Sequence, residues 1–341
     1  MTDSARIIPG ANAPARQWQG IASIAVWRGR LWATWYGGGP REPSIENHIV
    51  LASRQLHERS WRTEAIIEAP GTVRAYDPNL WVDPRGRLWH TWNQTDEGVA
   101  ELFDGVGGVW ARVSDGDGWS EPRRLASGVA MNTPTVRSDG VWLLPSARWS
   151  QGPAEHTDPR AANVFASSDD GASWTLLGGA VVPEDERTFD EHMIVALPDG
   201  TLWMLLRTLR GLAESFSADG GMTWTIVRPS GFGPHPSSRV WFGALDDGTI
   251  VLISNAAAMT RDGIAVRTSI DDGRTWSFPV VIDARSGLSY PDAAQDPSGL
   301  LHVVYDRDRN GDGEIAHAVL RVEAGVVSIA DAPEVIDSLG G

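Results

Sequence analysis

One eight-residue pattern occurs three times: Ser167-x-Asp169-x-Gly171-x-x-Trp174, Ser217-x-Asp219-x-Gly221-x-x-Trp224 and Ser269-x-Asp271-x-Gly273-x-x-Trp276. A recurrence of this kind constrains the fold more than any average property, because it marks a supersecondary unit that stacks on copies of itself. The chemistry is that of a hairpin turn. Asp accepts backbone N–H groups, Gly takes a positive φ, and Trp folds its ring back against the turn. Two weaker copies precede these, from Ser114 to Trp119 and from Ser53 to Trp61, and the five Trp at 61, 119, 174, 224 and 276 are spaced by 58, 55, 50 and 52 residues.

A second, independent period is a turn Gly followed by an apolar strand. It begins at Gly29, Gly86, Gly140, Gly200, Gly248 and Gly299, and short apolar strands such as Ile21 to Val26 and Ile194 to Leu197 precede these turns. Six units of about 50 residues, built of short strands and Gly-rich turns without a helical period, predict an all-β fold. The expected architecture is a six-bladed β-propeller with four-stranded antiparallel blades. No linker interrupts the period, so residues 1–341 read as a single domain, and one terminus is expected to complete the last blade.

Asp and Glu outnumber Lys and Arg by 44 to 29, a formal charge of −15. That argues against nucleic acid or an anionic membrane as a partner. There is no Cys, which excludes disulfides, thiolate nucleophiles and cysteine-ligated zinc. The first residues lack a basic segment followed by a long apolar one, and no stretch reaches the length of a membrane span, so a cytoplasmic protein is expected. The 17 Trp are either a structural signature of the repeat or a lining for sugar-like ligands.

In a propeller the innermost strands line a central channel, and ligands meet the strand starts and loops on one face. This geometry nominates Gln19, Asp77, Glu191, His192, Arg239, Tyr290 and Asp292 at the strand starts. At the ends of the neighbouring strands it nominates Arg148, Trp149, Arg207, Asp306 and Arg309. Several guanidinium groups converging on one channel of an acidic protein suit a carboxylate-bearing ligand, here a small acidic oligosaccharide or glycoside.

The three Ser-x-Asp-x-Gly-x-x-Trp copies resemble the Asp-box of the sialidase, or BNR-repeat, superfamily, and the resemblance spans essentially the whole chain. It implies a sialidase-like propeller in which three arginines hold a substrate carboxylate, a Tyr assisted by a Glu is the nucleophile, and an Asp is the acid/base. By that likeness Tyr290 is the nucleophile, Glu191 its partner, Asp306 an orienter of an Arg, and Arg261 and Arg207 (or Arg210) two members of the arginine set. The chain departs from the pattern on its first inner strand, where Gln19-Gly20-Ile21-Ala22-Ser23 replaces an Arg-Ile-Pro motif, and in the loop expected to carry the acid/base, where Glu46 or Glu42 is the candidate.

Three functions follow as expectations. The first is an exo-acting glycoside hydrolase on an acidic-sugar-containing oligosaccharide, using Tyr290 with Glu191, or Glu191 with Asp292. The second is a uronate-specific lyase, with Arg239 neutralising the carboxylate and His192 or His235, with Tyr290 or Tyr76, as base and acid. The third is a non-catalytic glycan-binding propeller. Asp306, Asp308, Asn310 and Asp312 space oxygens like the start of a calcium loop, but the twelfth position is His317 rather than Glu. The segment therefore reads as a hairpin turn, and no cofactor is expected.

Overall fold

The computed structural model describes residues 5–10, 14–96, 98, 103, 105–149 and 158–339. Six antiparallel sheets of consecutive strands form the ring, at 18–68, 75–126, 135–180, 187–229, 241–283 and 288–337. They are called blades 1 to 6 here. The described residues contain no helix, so none is long and apolar enough to cross a membrane.

Each intact repeat closes the turn before the outermost strand of its blade. In blade 4, Ser217 Oγ donates to Asp219 and accepts from Gly221 N at 2.8 Å, while Asp219 accepts from Thr223 N at 2.9 Å. Three such donors hold the Asp219 carboxyl low, at about 2, led by the Thr223 side-chain and backbone hydrogen bonds. The glycines do more than turn the chain. A Cβ on Gly171 would lie 2.6 Å from the Trp89 ring of blade 2, on Gly221 3.2 Å from Leu177 of blade 3, and on Gly273 2.2 Å from Trp203 of blade 4. Each turn is thus a socket for the preceding blade. Tryptophans fill these seams, as where Trp81, Trp89 and Trp142 pack edge to face between blades 2 and 3.

The C-terminal strand completes the last blade, as expected. Blade 6 is four consecutive strands ending in Val326–Asp337, and the N-terminal strand Arg6–Pro9 adds a fifth strand to the outside of blade 1. Closure comes from buried carboxylates of blade 6 that accept backbone N–H groups of blade 1. Asp306 takes Ile21 N at 2.8 Å and Asp292 takes Ile24 N at 2.9 Å. Gln19 reaches Gly313 O at 2.6 Å, and Arg16 pairs with Asp337 at 2.9 Å.

The innermost strands carry one further device. Register breaks interrupt Trp18–Trp27, Ala75–Val82, Arg187–Ala196 and Leu288–Gln295 near their starts. The bulged residues have positive φ: Ile21 at 57°, Asp77 at 47°, Asp190 at 55°, Glu191 at 45° and Tyr290 at 53°. Bulges re-aim side chains, and strained backbone of this kind collects at functional sites.

Gly273 and Gly248 have nearly equal φ, 82° and 85°, but a Cβ on Gly248 meets nothing within 4 Å. Gly273→Ala is expected to cost about 2–4 kcal/mol from strain plus overpacking, against about 1 kcal/mol for Gly248→Ala. Urea denaturation of the two variants measures the difference, and equal losses would refute the socket.

Candidate active site

All six blades contribute to one pocket of about 140 Å³, lined by Glu42, Asp77, Phe103, Met131, Trp149, Phe189, Glu191, Arg207, Arg261, Tyr290 and Arg309. Three of these, Asp77, Glu191 and Tyr290, stand on the bulges. Asp77 and Tyr290 are each followed by proline, which lacks the N–H that a regular ladder would need at that point.

The centre of the pocket is a three-way hydrogen bond. Tyr290 Oη donates to Glu191 Oε1 at 3.1 Å, and Arg207 Nη1 donates to the same Glu191 oxygen at 2.7 Å and to Tyr290 Oη at 3.0 Å. The phenol proton already points at a carboxylate, while a guanidinium stands ready to stabilise the phenolate. Burial pushes the Tyr290 hydroxyl up and the Glu191 charge adds to it, with Arg207, Arg309 and Arg261 opposing. Arg309 and Arg261 lie 4.7 and 5.2 Å from the Tyr290 ring. Ser237 fixes two of the arginines, its Oγ accepting from Arg207 Nε at 2.9 Å and its carbonyl from Arg261 Nη2 at 3.0 Å.

Arg309 crosses from blade 6 to blade 1. A Cβ on Gly20 would meet its Cδ at 2.4 Å, so the glycine leaves the room that this side chain fills. Its guanidinium is held by Glu42 at 3.4 Å and Asp306 at 3.8 Å.

Asp77 is fully buried, and its carboxyl is pushed up to about 8, first by burial and then by the Glu42 charge. Burial of this kind favours the protonated carboxyl. Beside the charged groups stands an aromatic wall in which Trp149 and Phe189 ring centres are 4.7 Å apart and Phe103 is 5.9 Å from Trp149, with the Arg207 guanidinium 5.1 Å from the Phe189 ring.

Of the residues nominated from sequence, the structure brings Tyr290, Glu191, Arg207, Arg261, Arg309, Asp77 and Trp149 to the pocket wall. It employs the others elsewhere. Glu46 is exposed on the loop beyond Glu42 and faces a separate cavity with His48 and Glu68; Glu42, the alternative candidate in that loop, lines the pocket. Asp292 spends its carboxylate on Ile24 N. His192 Nε2 lies 2.7 Å from Asn163 O, and burial pushes its pKa down to about 4, so it is a neutral structural donor. Gln19 bridges Gly313 O and Trp35 Nε1.

Arg148 donates to Asp158 O. Arg239 donates to backbone carbonyls beneath Tyr290. Asp306 lies behind the wall and orients Arg309. The Asp306–Asp312 segment is a hairpin turn: Asp306 oxygens are used by Ile21 N and Ser289 Oγ, and Asp308 accepts Asp312 N at 3.1 Å. Among the described residues no group of three or more His, Asp or Glu is arranged to hold a metal ion.

Phe103 and Phe189 were not singled out as pocket residues from sequence. Phe189 immediately precedes the Asp190-Glu191 bulge, which is a usable signal, whereas Phe103 lies in the sequence between the second and third strands of blade 2, outside both periods.

Comparison with known proteins agrees with this architecture. Residues 29–303 match the family model described as a BNR repeat-like domain. Over 208 residues the chain is 29% identical to an anhydrosialidase of Macrobdella decora, a match covering 54% of this chain but only a quarter of that relative's length. Among solved structures, a Hadza microbial sialidase superposes with a TM-score of 0.69 at 15% identity over 85% of this chain and 63% of the other. The intramolecular trans-sialidase of Ruminococcus gnavus superposes with a TM-score of 0.68 at 15% identity over 96% of each chain. At such identities the superpositions speak for the fold. With six four-stranded blades, three intact Asp-boxes and a family match across most of its length, the chain belongs to the BNR repeat-like family and is a sialidase-like β-propeller.

Proposed function

We propose that this propeller is an exo-acting glycosidase that removes a terminal acidic sugar from a small oligosaccharide or glycoside. The observation that carries the reading is the Tyr290–Glu191–Arg207 hydrogen-bond triangle on the pocket floor. A neutral phenol is a suitable nucleophile beside a substrate carboxylate, because it approaches the anomeric carbon without like-charge repulsion. Arg207, Arg261 and Arg309 supply the carboxylate seat. Glu191 accepts the phenol proton as the Tyr290 oxygen bonds to the anomeric carbon and the glycosidic bond breaks. Asp77, whose burial favours the protonated carboxyl, donates to the departing oxygen, and its carboxylate then activates the water that releases the sugar.

The 29% identity to an anhydrosialidase favours one variation, in which a hydroxyl of the sugar itself replaces that water and the product is one water lighter. Two of the residues named for the lyase reading, Arg239 and His192, are committed to backbone carbonyls, which favours the glycosidase.

The test is product analysis on sialosides and uronate-terminated oligosaccharides, with mass and ultraviolet detection of unsaturated sugar. Tyr290→Phe is expected to lower kcat/KM by about a thousandfold or more while ligand binding survives. An unsaturated product, or full activity in the variant, would overturn the assignment.

Because Asp77 must hold a proton, activity is expected to fall as pH rises through about 8. The Glu42 charge raises the Asp77 pKa, so Glu42→Gln moves that alkaline limb to lower pH. A pH–kcat/KM profile checks the sign, and a limb that stays put or moves upward refutes the role of Asp77.

A further inference from the structure

The carboxylate seat is not empty of carboxylate. Glu42 stands on the pocket wall; its Oε1 accepts from Tyr36 Oη at 3.0 Å and its Oε2 lies 3.4 Å from Arg309 Nη1. The other pocket arginines are tied differently: Arg207 Nη1 to Glu191 and Tyr290, and Arg261 Nη2 to the Ser237 carbonyl. Asp306, the second carboxylate beside Arg309, is fully buried beneath it and fixed by Ile21 N and Ser289 Oγ. Glu42 is therefore the pocket-side counter-ion of Arg309. Its side chain is 27% exposed against 14% for Arg309, so it can swing toward solvent without unpacking the core.

We propose that Glu42 is a specificity-determining placeholder, an internal carboxylate that occupies Arg309 until a ligand carboxylate replaces it. This rests on the reading of the pocket as a seat for an acidic sugar. The exchange swaps one carboxylate–guanidinium pair for another, so an anion that reaches Arg309 alone gains little. A carboxylate fixed on a sugar ring and shared with Arg207 and Arg261 gains the additional donors. The placeholder thus selects rigid glycosyl carboxylates over simple anions, and it keeps a mostly buried guanidinium paired when no ligand is bound.

Titration calorimetry of two probes, a sialic acid methyl glycoside and its C1 amide, tests the exchange. Glu42→Gln keeps an acceptor for Tyr36 while removing the charge. It is expected to bind the carboxylate probe about tenfold more tightly than the unaltered protein, with little change for the amide. Tyr36→Phe, which frees the other anchor of Glu42, is expected to act in the same direction to a smaller extent. Equal or weaker carboxylate binding in both variants, with the unaltered protein still binding the probe, overturns the placeholder and leaves the pocket reading intact. Failure of the unaltered protein and of both variants to bind the carboxylate, with folding verified by melting temperature, overturns both.

Discussion

Arg239 stands at the hub of the ring. Its guanidinium, 1% exposed, donates to carbonyls of three other blades: Met131 of blade 3, Ala22 of blade 1 at 3.3 Å, and Pro291 and Tyr290 of blade 6 at 3.0 and 3.4 Å. The bulges on the inner strands free backbone carbonyls from the regular ladder, and a buried carbonyl left without a donor is costly. One planar cation with five donors meets several of them at once. Arg239 also lies 5.8 Å from the Tyr290 ring, so the group that joins the blades supports the residue proposed to do the chemistry.

Charge in this protein divides by depth. Below the pocket, Asp292, Asp306 and Arg239 bind backbone and fix how the blades meet. Burial pushes both carboxyls up, Arg239 opposing it for Asp292 and Arg309 for Asp306. In the pocket, Glu191, Arg207, Arg309 and Glu42 bind mainly one another. Those bonds are between side chains and can be exchanged for bonds to a ligand without moving the backbone. The chemistry is thereby separated from the closure of the ring by a single layer of side chains.

The fold was legible because the Asp-box glycines and tryptophans are seam-forming parts, and a seam must recur in each blade that uses it. The site was legible as far as the strand starts. The residue choice within each start was not, because it is made by backbone geometry. In Asp190-Glu191-His192 and Tyr290-Pro291-Asp292 the positive φ at Glu191 and Tyr290 turns those side chains into the pocket, while His192 and Asp292 reach the backbone of neighbouring blades. A regular period-two strand has no means of making that selection. The arginines were ambiguous for a related reason. Arg148 and Arg239 meet backbone carbonyls and Arg207 meets a carboxylate, yet the sequence pattern sets all three alike at the starts or ends of strands beside the channel. Arg309 reaches the pocket only because Gly20, on a different blade, has no side chain.

The most direct test of the account is where the sugar goes during turnover. The protein, quenched while it processes a sialyl aryl glycoside, is digested and peptide-mapped by mass spectrometry. The account predicts a glycosyl adduct on the peptide that contains Tyr290, absent from Tyr290→Phe. An adduct on Glu191 or Asp77, or turnover that yields an unsaturated sugar with no adduct, would contradict it.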